Sequence, residues 1–290
     1  MERLAILLIT CSDRRGLVAS LAQVLTGHGA NILDSAQHTD RAIGQFFQRI
    51  VFDVAELSTD IGTLKRAIDE VATRFAMSYR LVFKEKLDGT PEKKRIALFV
   101  SKYDHCLYDI LLRYKVGELD CEVAFVLSNH PDLKYVADQF GVPFFVSEKN
   151  QNNRHEAEAH ELSLIEEHRV DLVVLARYMQ ILSDVFTAAL PGRIINIHHS
   201  FLPAFIGGRP YHQAKERGVK LIGATAHYAT SDLDEGPIIE QDVVRCSHSD
   251  TVDDLVRKGR DLEKVVLARA VRWHLEDRVL IFGNKTVVFD

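Results

Sequence analysis

The sequence predicts an α/β chain of two domains. The first is a small βαββαβ unit, an antiparallel sheet with two helices on one face, and the second is a larger, mostly parallel sheet covered by helices on both faces. Three observations carry this reading. Residues 3–86 alternate strand and helix patterns in the order β, α, β, β, α, β. Residues 87–93, LDGTPEK, combine Gly, Pro and charge and read as a linker. From residue 94 to residue 290 short apolar strands alternate with helical segments, the rhythm of a parallel sheet with helical crossovers. A chain of 290 residues fits two domains of ordinary size.

Residues 3–11, RLAILLITC, form an apolar strand, and Ser12-Asp13-Arg14-Arg15-Gly16 supplies turn and cap chemistry after it. Leu17, Leu21, Val24 and Leu25 recur at helical spacing, and Gly29 stands where that helix ends. NILDSAQHT and GQFFQRIVFDV are strands joined by a polar loop. A second helix covers Ile61–Phe75, with Leu64, Ile68, Val71 and Phe75 inward, before SYRLVFKEK returns as a strand. Beyond the linker come strand RIALFVSK, a helix from about His105, strand CEVAFVLS, a helix from about Asp132, short strand VPFFV, a helix from about Asn153 and strand DLVVLA. RIINIH and LIGATAHYA are further strands. A long amphipathic helix at residues 251–274 carries the core stripe Leu255, Leu262, Val266 and Ala270, and no chemistry is assigned to it or to Trp273.

A hydrophobic fraction of 47% is that of an ordinary globular chain. The formal net charge of −5 and the lack of a Lys/Arg run give no footprint for nucleic acid. The N-terminal apolar run, bounded by Asp13, Arg14 and Arg15, is too short for a membrane span and has no small-residue cleavage site. The expectation is a cytoplasmic protein without a membrane partner. Cys11, Cys106, Cys121 and Cys246 lack C-x-x-C spacing, so buried thiols are expected rather than disulfides or a zinc knuckle.

The chemistry concentrates in residues 194–242, IINIHHSFLPAFIGGRPYHQAKERGVKLIGATAHYATSDLDEGPIIEQD. Ile194, Ile195 and Ile197 mark a buried strand, and Asn196 and His198, two apart, point to one side of it. LIGATAHYA runs into the polar turn SDLDEGP, with Asp232, Asp234 and Glu235. If the two strand ends lie side by side, an amide, an imidazole and a carboxylate converge. Acyl hydrolysis or transfer needs that set: an oxyanion donor, a proton carrier and an orienting carboxylate. A lone histidine among apolar strand residues is usually a core group; Asn196 and the Asp234 turn raise His198 above that. His199 faces the other way on a regular strand, so the pair does not make a metal site, and none is expected. His155 and His160 resemble a zinc-protease helix but are five apart rather than four, which fits a solvated helix face. Gly207-Gly208-Arg209-Pro210 ahead of a helix near Tyr211 reads either as an anion cradle or as a plain loop. No G-x-S-x-G, G-x-G-x-x-G or P-loop occurs.

The pattern N-I-H-x-S-x-L-P, residues Asn196, His198, Ser200, Leu202 and Pro203, followed by H-x6-D-x-G-P-I-I, residues His227, Asp234, Gly236, Pro237, Ile238 and Ile239, resembles the folate-dependent formyl transferase and hydrolase family over roughly residues 94–290. The resemblance implies a Rossmann-like formyltransferase-type sheet and a catalytic set of Asn196, His198 and Asp234. It places Met179, Gln180, Ile181 and Leu182 along the pterin pocket, gives His227 a supporting hydrogen bond near Asp234, and adds Gly236 to the substrate site. Family transferases acting on a glycinamide sugar phosphate carry a glycine-rich loop where this chain has Lys102, Tyr103 and Asp104, so a phosphorylated acceptor loses its anchor. Water becomes the default acceptor. The expected reaction is hydrolysis of 10-formyltetrahydrofolate to tetrahydrofolate and formate, balancing one-carbon pools and feeding purine synthesis, with folate as substrate and no cofactor. The alternatives are formyl transfer to a small amine and a non-catalytic folate or amino-acid sensor.

The Asp-Arg-Arg-Gly turn and Gly29-Ala30-Asn31-Ile32 of the first domain resemble a ferredoxin-like ACT domain. That implies an amino-acid effector at Asp13, Arg14, Gly16 and Asn31, or a dimerisation module without ligand, and in both cases a homo-oligomer. Many members carry Pro where this chain has Arg15.

Overall fold

The computed structural model describes residues 3–85, 89–150, 152–204 and 210–290. It divides into two compact units: residues 1–93 with 277–280 and 287–290, and residues 94–276 with 281–286. Residues 277–280 and 287–290, which the sequence reading kept in the second domain, therefore pack with the first.

The first unit contains β1 (Leu4–Ser12), α1 (Leu17–Gly27), β2 (Asn31–Asp40), β3 (Gln45–Asp53), α2 (Ile61–Phe75) and β4 (Ser78–Phe83). Its antiparallel sheet has the order β2-β3-β1-β4, the arrangement expected of a βαββαβ unit. Side chains alternate along β1. Ala5, Leu7 and Ile9 meet Leu21 and Leu25 of α1 and Leu64 and Ile68 of α2. Ile6 and Leu8 face the other way and pack with Phe47, Leu280, Val287 and Phe289. The uninterrupted apolar run of β1 is thus explained: both sheet faces are covered, one by helices and one by the end of the chain. Asp277, fully buried, anchors that end by ion pairs to Arg80 at 3.1 Å and Lys84 at 3.0 Å. Asp60 caps α2 by accepting from the Thr63 N–H at 2.9 Å.

The second unit contains β5 (Lys94–Val100), α3 (His105–Lys115), β6 (Cys121–Ser128), α4 (Lys134–Phe140), β7 (Phe144–Val146), α5 (Arg154–Glu167), β8 (Leu172–Leu175), α6 (Asp184–Ala189), β9 (Ile194–His198), α7 (Pro210–Arg217), β10 (Leu221–Tyr228), β11 (Ile238–Arg245) and α8 (Val252–Leu275). The sheet order is β11-β10-β9-β8-β5-β6-β7. Strands β5 to β9 pair in parallel, whereas β10 and β11 add antiparallel at one edge. The core gathers Phe99, Phe125, Leu175, Phe186 and Ile194. The two strands β12 (Val279–Phe282) and β13 (Lys285–Val288) pair with each other and, with the six-residue α6 and the edge strand β11, are elements the sequence reading did not identify. The first three are too short to display a period, and IIEQDVVR of β11 lacks strict alternation. All four cysteines are buried, as expected, and none is in a disulfide among the described residues. No helix among the described residues is long and apolar enough to cross a membrane.

Candidate active site

From β5 the chain moves to β6 and β7 on one side and returns to β8 on the other, so the carboxyl ends of β5 and β8 border a topological switch point. A cavity of about 610 Å³ opens there, lined by Tyr103 after β5, residues 177–182 after β8, the end of β9 and the turn after β10.

β9 delivers two of the expected residues. Ile194, Ile195 and Ile197 are buried in the sheet, while Asn196 and His198 line the cavity. Strand β10 is antiparallel, with Thr225 opposite His198 and His227 opposite Asn196. The expected juxtaposition of strand ends is therefore not how the site forms. Tyr228, at the end of β10, sits level with Ile195 near the start of β9, and the turn after β10 folds back to bring Asp234 in. Asp234 adopts φ 57°, a left-handed conformation that is strained for a non-glycine residue. Gly236 makes that turn possible: a Cβ there would lie 1.8 Å from the Tyr228 carbonyl oxygen. It packs the turn onto β10 and is not part of the cavity wall.

The four polar groups form one network. His198 Nδ1 lies 3.2 Å from Asp234 Oδ2, and His227 Nε2 lies 3.6 Å from Asp234 Oδ1. His227 Nδ1 is 3.0 Å from the Tyr228 carbonyl, and its Nε2 is 3.1 Å from Asn196 Nδ2. Asn196 Nδ2 is also 3.5 Å from Asp234 Oδ1. Burial pushes the Asp234 carboxyl up, but hydrogen bonds and charge from His198 and His227 outweigh it and hold the group well below the usual carboxylate range. His198 Nε2 is buried with no hydrogen-bond partner among the described residues.

Met179, Gln180, Ile181 and Leu182 all line the cavity, with Met179 and Ile181 53% and 61% exposed, so apolar surface is available to a flat ring. The loop is held from behind. The Met179 N–H donates to Ser101 Oγ at 3.0 Å, and Arg154 Nη2 donates to the Ile181 carbonyl at 2.8 Å. Beneath it, Lys149 pairs with Glu161 at 2.7 Å and with Glu158 at 3.7 Å; Glu158 accepts from Ser183, and Glu161 accepts from Tyr178. Sequence reading missed this network. His155 and His160 of α5 are solvated as expected, but the opposite face of the helix buries Glu158 and Glu161.

A second cluster was also missed. Glu263 of α8, 1% exposed, accepts from Tyr211 at 2.8 Å, lies 2.8 Å from His105 Nε2 and 3.5 Å from Arg177 Nε. Helix α8, to which no chemistry was assigned, thus places a carboxylate in the cavity wall. His199 is corrected as well: its ring centroid is 5.0 Å from that of His198, and both line the cavity, because β9 ends at His198 and strand alternation stops there. Burial, the Arg177 charge and His198 bring the His199 pKa down to about 4. His105, Cys106 and Glu263 are close enough to surround an ion, yet the Arg177 charge already answers Glu263 and burial pushes the Cys106 thiol well up. That donor set does not fit a metal. Gly207, Gly208 and Arg209 of the expected anion loop lie outside the described residues.

In the first unit, Asp13, Arg14 and Gly16 are exposed at the β1–α1 turn, with Gly16 at φ 91°. Asn31 is not beside them. It pairs with Asp53, which pairs with Leu4, so it lies at the far end of the nine-residue β1. At about 3.4 Å per residue that is on the order of 25 Å away.

Residues 94–271 match the formyl transferase family, and residues 5–69 match the ACT domain. The formyltetrahydrofolate deformylase of Synechocystis is 52% identical over 285 residues, covering 98% of both chains. That of Bacillus subtilis is 49% identical, covering 98% of this chain and 93% of its own. The crystal structure of a formyltetrahydrofolate deformylase from Pseudomonas syringae superposes with a TM-score of 0.94 at 46% identity, covering 100% of this chain and 95% of the other. With an ACT domain, a formyl transferase domain and the Asn196–His198–Asp234 network in one chain, similar over nearly its whole length to these relatives, this protein belongs to the formyltetrahydrofolate deformylase family.

Proposed function

We propose that the chain hydrolyses 10-formyltetrahydrofolate to tetrahydrofolate and formate, with Asn196, His198 and Asp234 as the catalytic residues. The observation that carries those roles is the convergence of an amide, two imidazoles and an ionised carboxylate on one wall of a cavity whose adjoining wall is the apolar loop 179–182. The pterin lies against Met179, Gln180, Ile181 and Leu182, which sets the formyl carbon before Asn196 and His198. Asp234 holds the attacking water by accepting its hydrogen. Because its basicity is low, it positions the water and the cationic form of His198 more than it removes a proton in the ground state. As water oxygen bonds to the formyl carbon, the carbonyl oxygen becomes an oxyanion that accepts from Asn196 Nδ2 and from His198 through the otherwise unpartnered Nε2. The proton lost by water passes through the His198–Asp234 pair to N10. The C–N10 bond then breaks, and the formic acid formed ionises to formate. His227 keeps the Asn196 amide turned.

A small amino acid is the effector at the turn Asp13-Arg14-Arg15-Gly16, in a homo-oligomer in which the site is completed across two first units. Four cysteines outside disulfides fit a reducing, cytoplasmic setting. The test of the reaction is formate release from 10-formyltetrahydrofolate with no amine present, then with glycine or methionine added. Release without amine is the expected result; release only on adding an amine would make the chain a transferase, and tight folate binding without turnover would make it a sensor.

A further inference from the structure

The cavity extends beyond the catalytic wall to an end that the proposed hydrolysis leaves unused. Arg177 and Arg260 both sit on the ring of Tyr103, their guanidinium carbons 5.0 Å and 5.5 Å from its centroid. Both cations line the same cavity, and one carboxylate, Glu263, lines it with them. That carboxylate accepts from Tyr211 at Oε1, lies 2.8 Å from His105 at Oε2 and stands 3.5 Å from Arg177 Nε, so a single carboxylate charge faces two guanidinium charges. Among the described residues neither guanidinium donates a hydrogen bond to the protein, and Arg177 Nε is buried without an acceptor. Arg177 is 8% exposed, lines the cavity, and is held at φ 64°, a left-handed conformation it shares with Asp234 elsewhere in the lining. A buried guanidinium with unused donors beside a second cation has an excess of positive charge that a planar anion would neutralise.

We infer that Arg177 and Arg260, over the face of Tyr103, form a subsite for a small monocarboxylate. Its occupant in turnover is the formate produced at the catalytic wall, an identification that rests on the proposed hydrolysis. Formate fits for three reasons. A carboxylate matches the guanidinium fork in two parallel hydrogen bonds. Phosphate is disfavoured because Lys102, Tyr103 and Asp104 provide no glycine nest. The anion also leaves a wall bearing the ionised Asp234 for one bearing two arginines. The subsite draws product away from the reacting centre and makes the enzyme sensitive to added formate.

The test titrates the full-length protein, free of folate, with sodium ¹³C-formate in low-chloride buffer, following the formate resonance. Saturable binding is expected for the unaltered chain, weakened about tenfold to a hundredfold by Arg177→Gln. Arg260→Gln, at an exposed position that folding tolerates, is expected to weaken it by about threefold to tenfold. Arg177→Lys keeps the charge without the fork and should retain part of the affinity. Absence of saturable formate binding, equal affinity in the folded variants, or tighter binding of inorganic phosphate or acetate than of formate would overturn the assignment. If Arg177→Gln does not fold, Arg260→Gln and Arg177→Lys decide. Formate release is measured in parallel on the unaltered protein. Release without formate binding overturns the subsite and leaves the hydrolysis standing; binding lost in the arginine variants without any release upholds a carboxylate subsite and overturns the hydrolysis.

Discussion

Replacing Asn196 by alanine isolates the oxyanion donor. The amide contributes a hydrogen bond to His227 Nε2 at 3.1 Å and a long one to Asp234 Oδ1 at 3.5 Å, and its side chain faces the open cavity. No closed void is created, so the stability loss is that of roughly one hydrogen bond, about 1 kcal/mol. For a domain of this size that lowers Tm by about 2–4 °C. The catalytic loss is much larger: removing one preorganised oxyanion donor costs roughly a hundredfold to a thousandfold in kcat. The loop 179–182 is untouched, so KM should change by less than about threefold. The assay is formate release under saturating 10-formyltetrahydrofolate, with thermal unfolding on the same preparation. A kcat within about threefold of the unaltered enzyme, at a native Tm, would refute the role given to Asn196 and with it the placement of the formyl oxygen.

Asp234→Asn should lower kcat by about a hundredfold to ten-thousandfold. Because the folded carboxyl lies below its ordinary value, its stabilising contribution is full above that value and is lost as pH falls through about 4 and below, so unfolding curves of the variant and the parent should converge on acidification; a gap that widens in acid would contradict the sign. Lys149→Met leaves Glu158 and Glu161 without their buried cation, which costs about 3–5 kcal/mol, seen in denaturant unfolding, and raises KM more than it lowers kcat because the folate loop loosens. Gly236→Ala forces the turn off the Tyr228 carbonyl, so it should destabilise by about 1–3 kcal/mol and depress kcat by displacing Asp234. His155→Ala and His160→Ala should leave turnover and bound-metal content unchanged, measured by the formate assay and elemental analysis.

Periodicity was enough to find most of the elements. The alternation of Ala5, Leu7 and Ile9 with Ile6 and Leu8, the helical spacing in Ile61–Phe75 and the apolar strand around Asn196 each report a local geometry that short-range sterics and burial impose. Asn196 and His198 were legible as a pair for the same reason: two residues along a strand is one full period. What the period leaves out is the partner of each face. It marked β1 as apolar throughout without revealing that Leu280, Val287 and Phe289 cover one side. It marked α8 as amphipathic and α5 as a helix with a solvated face, but a buried Glu161 or Glu263 reads as a solvated charge until Lys149, or Arg177, Tyr211 and His105, arrive from distant segments to satisfy it. It could not show that β10 runs antiparallel to β9, on which the approach of Asp234 depends. The sequence by itself therefore determined the elements, the two-domain order and the catalytic motif, because these are set by contacts within a few residues. Only the tertiary structure decided which charges are buried together at the cavity, because that follows from strand order and from chain segments up to a hundred residues or more apart being packed side by side.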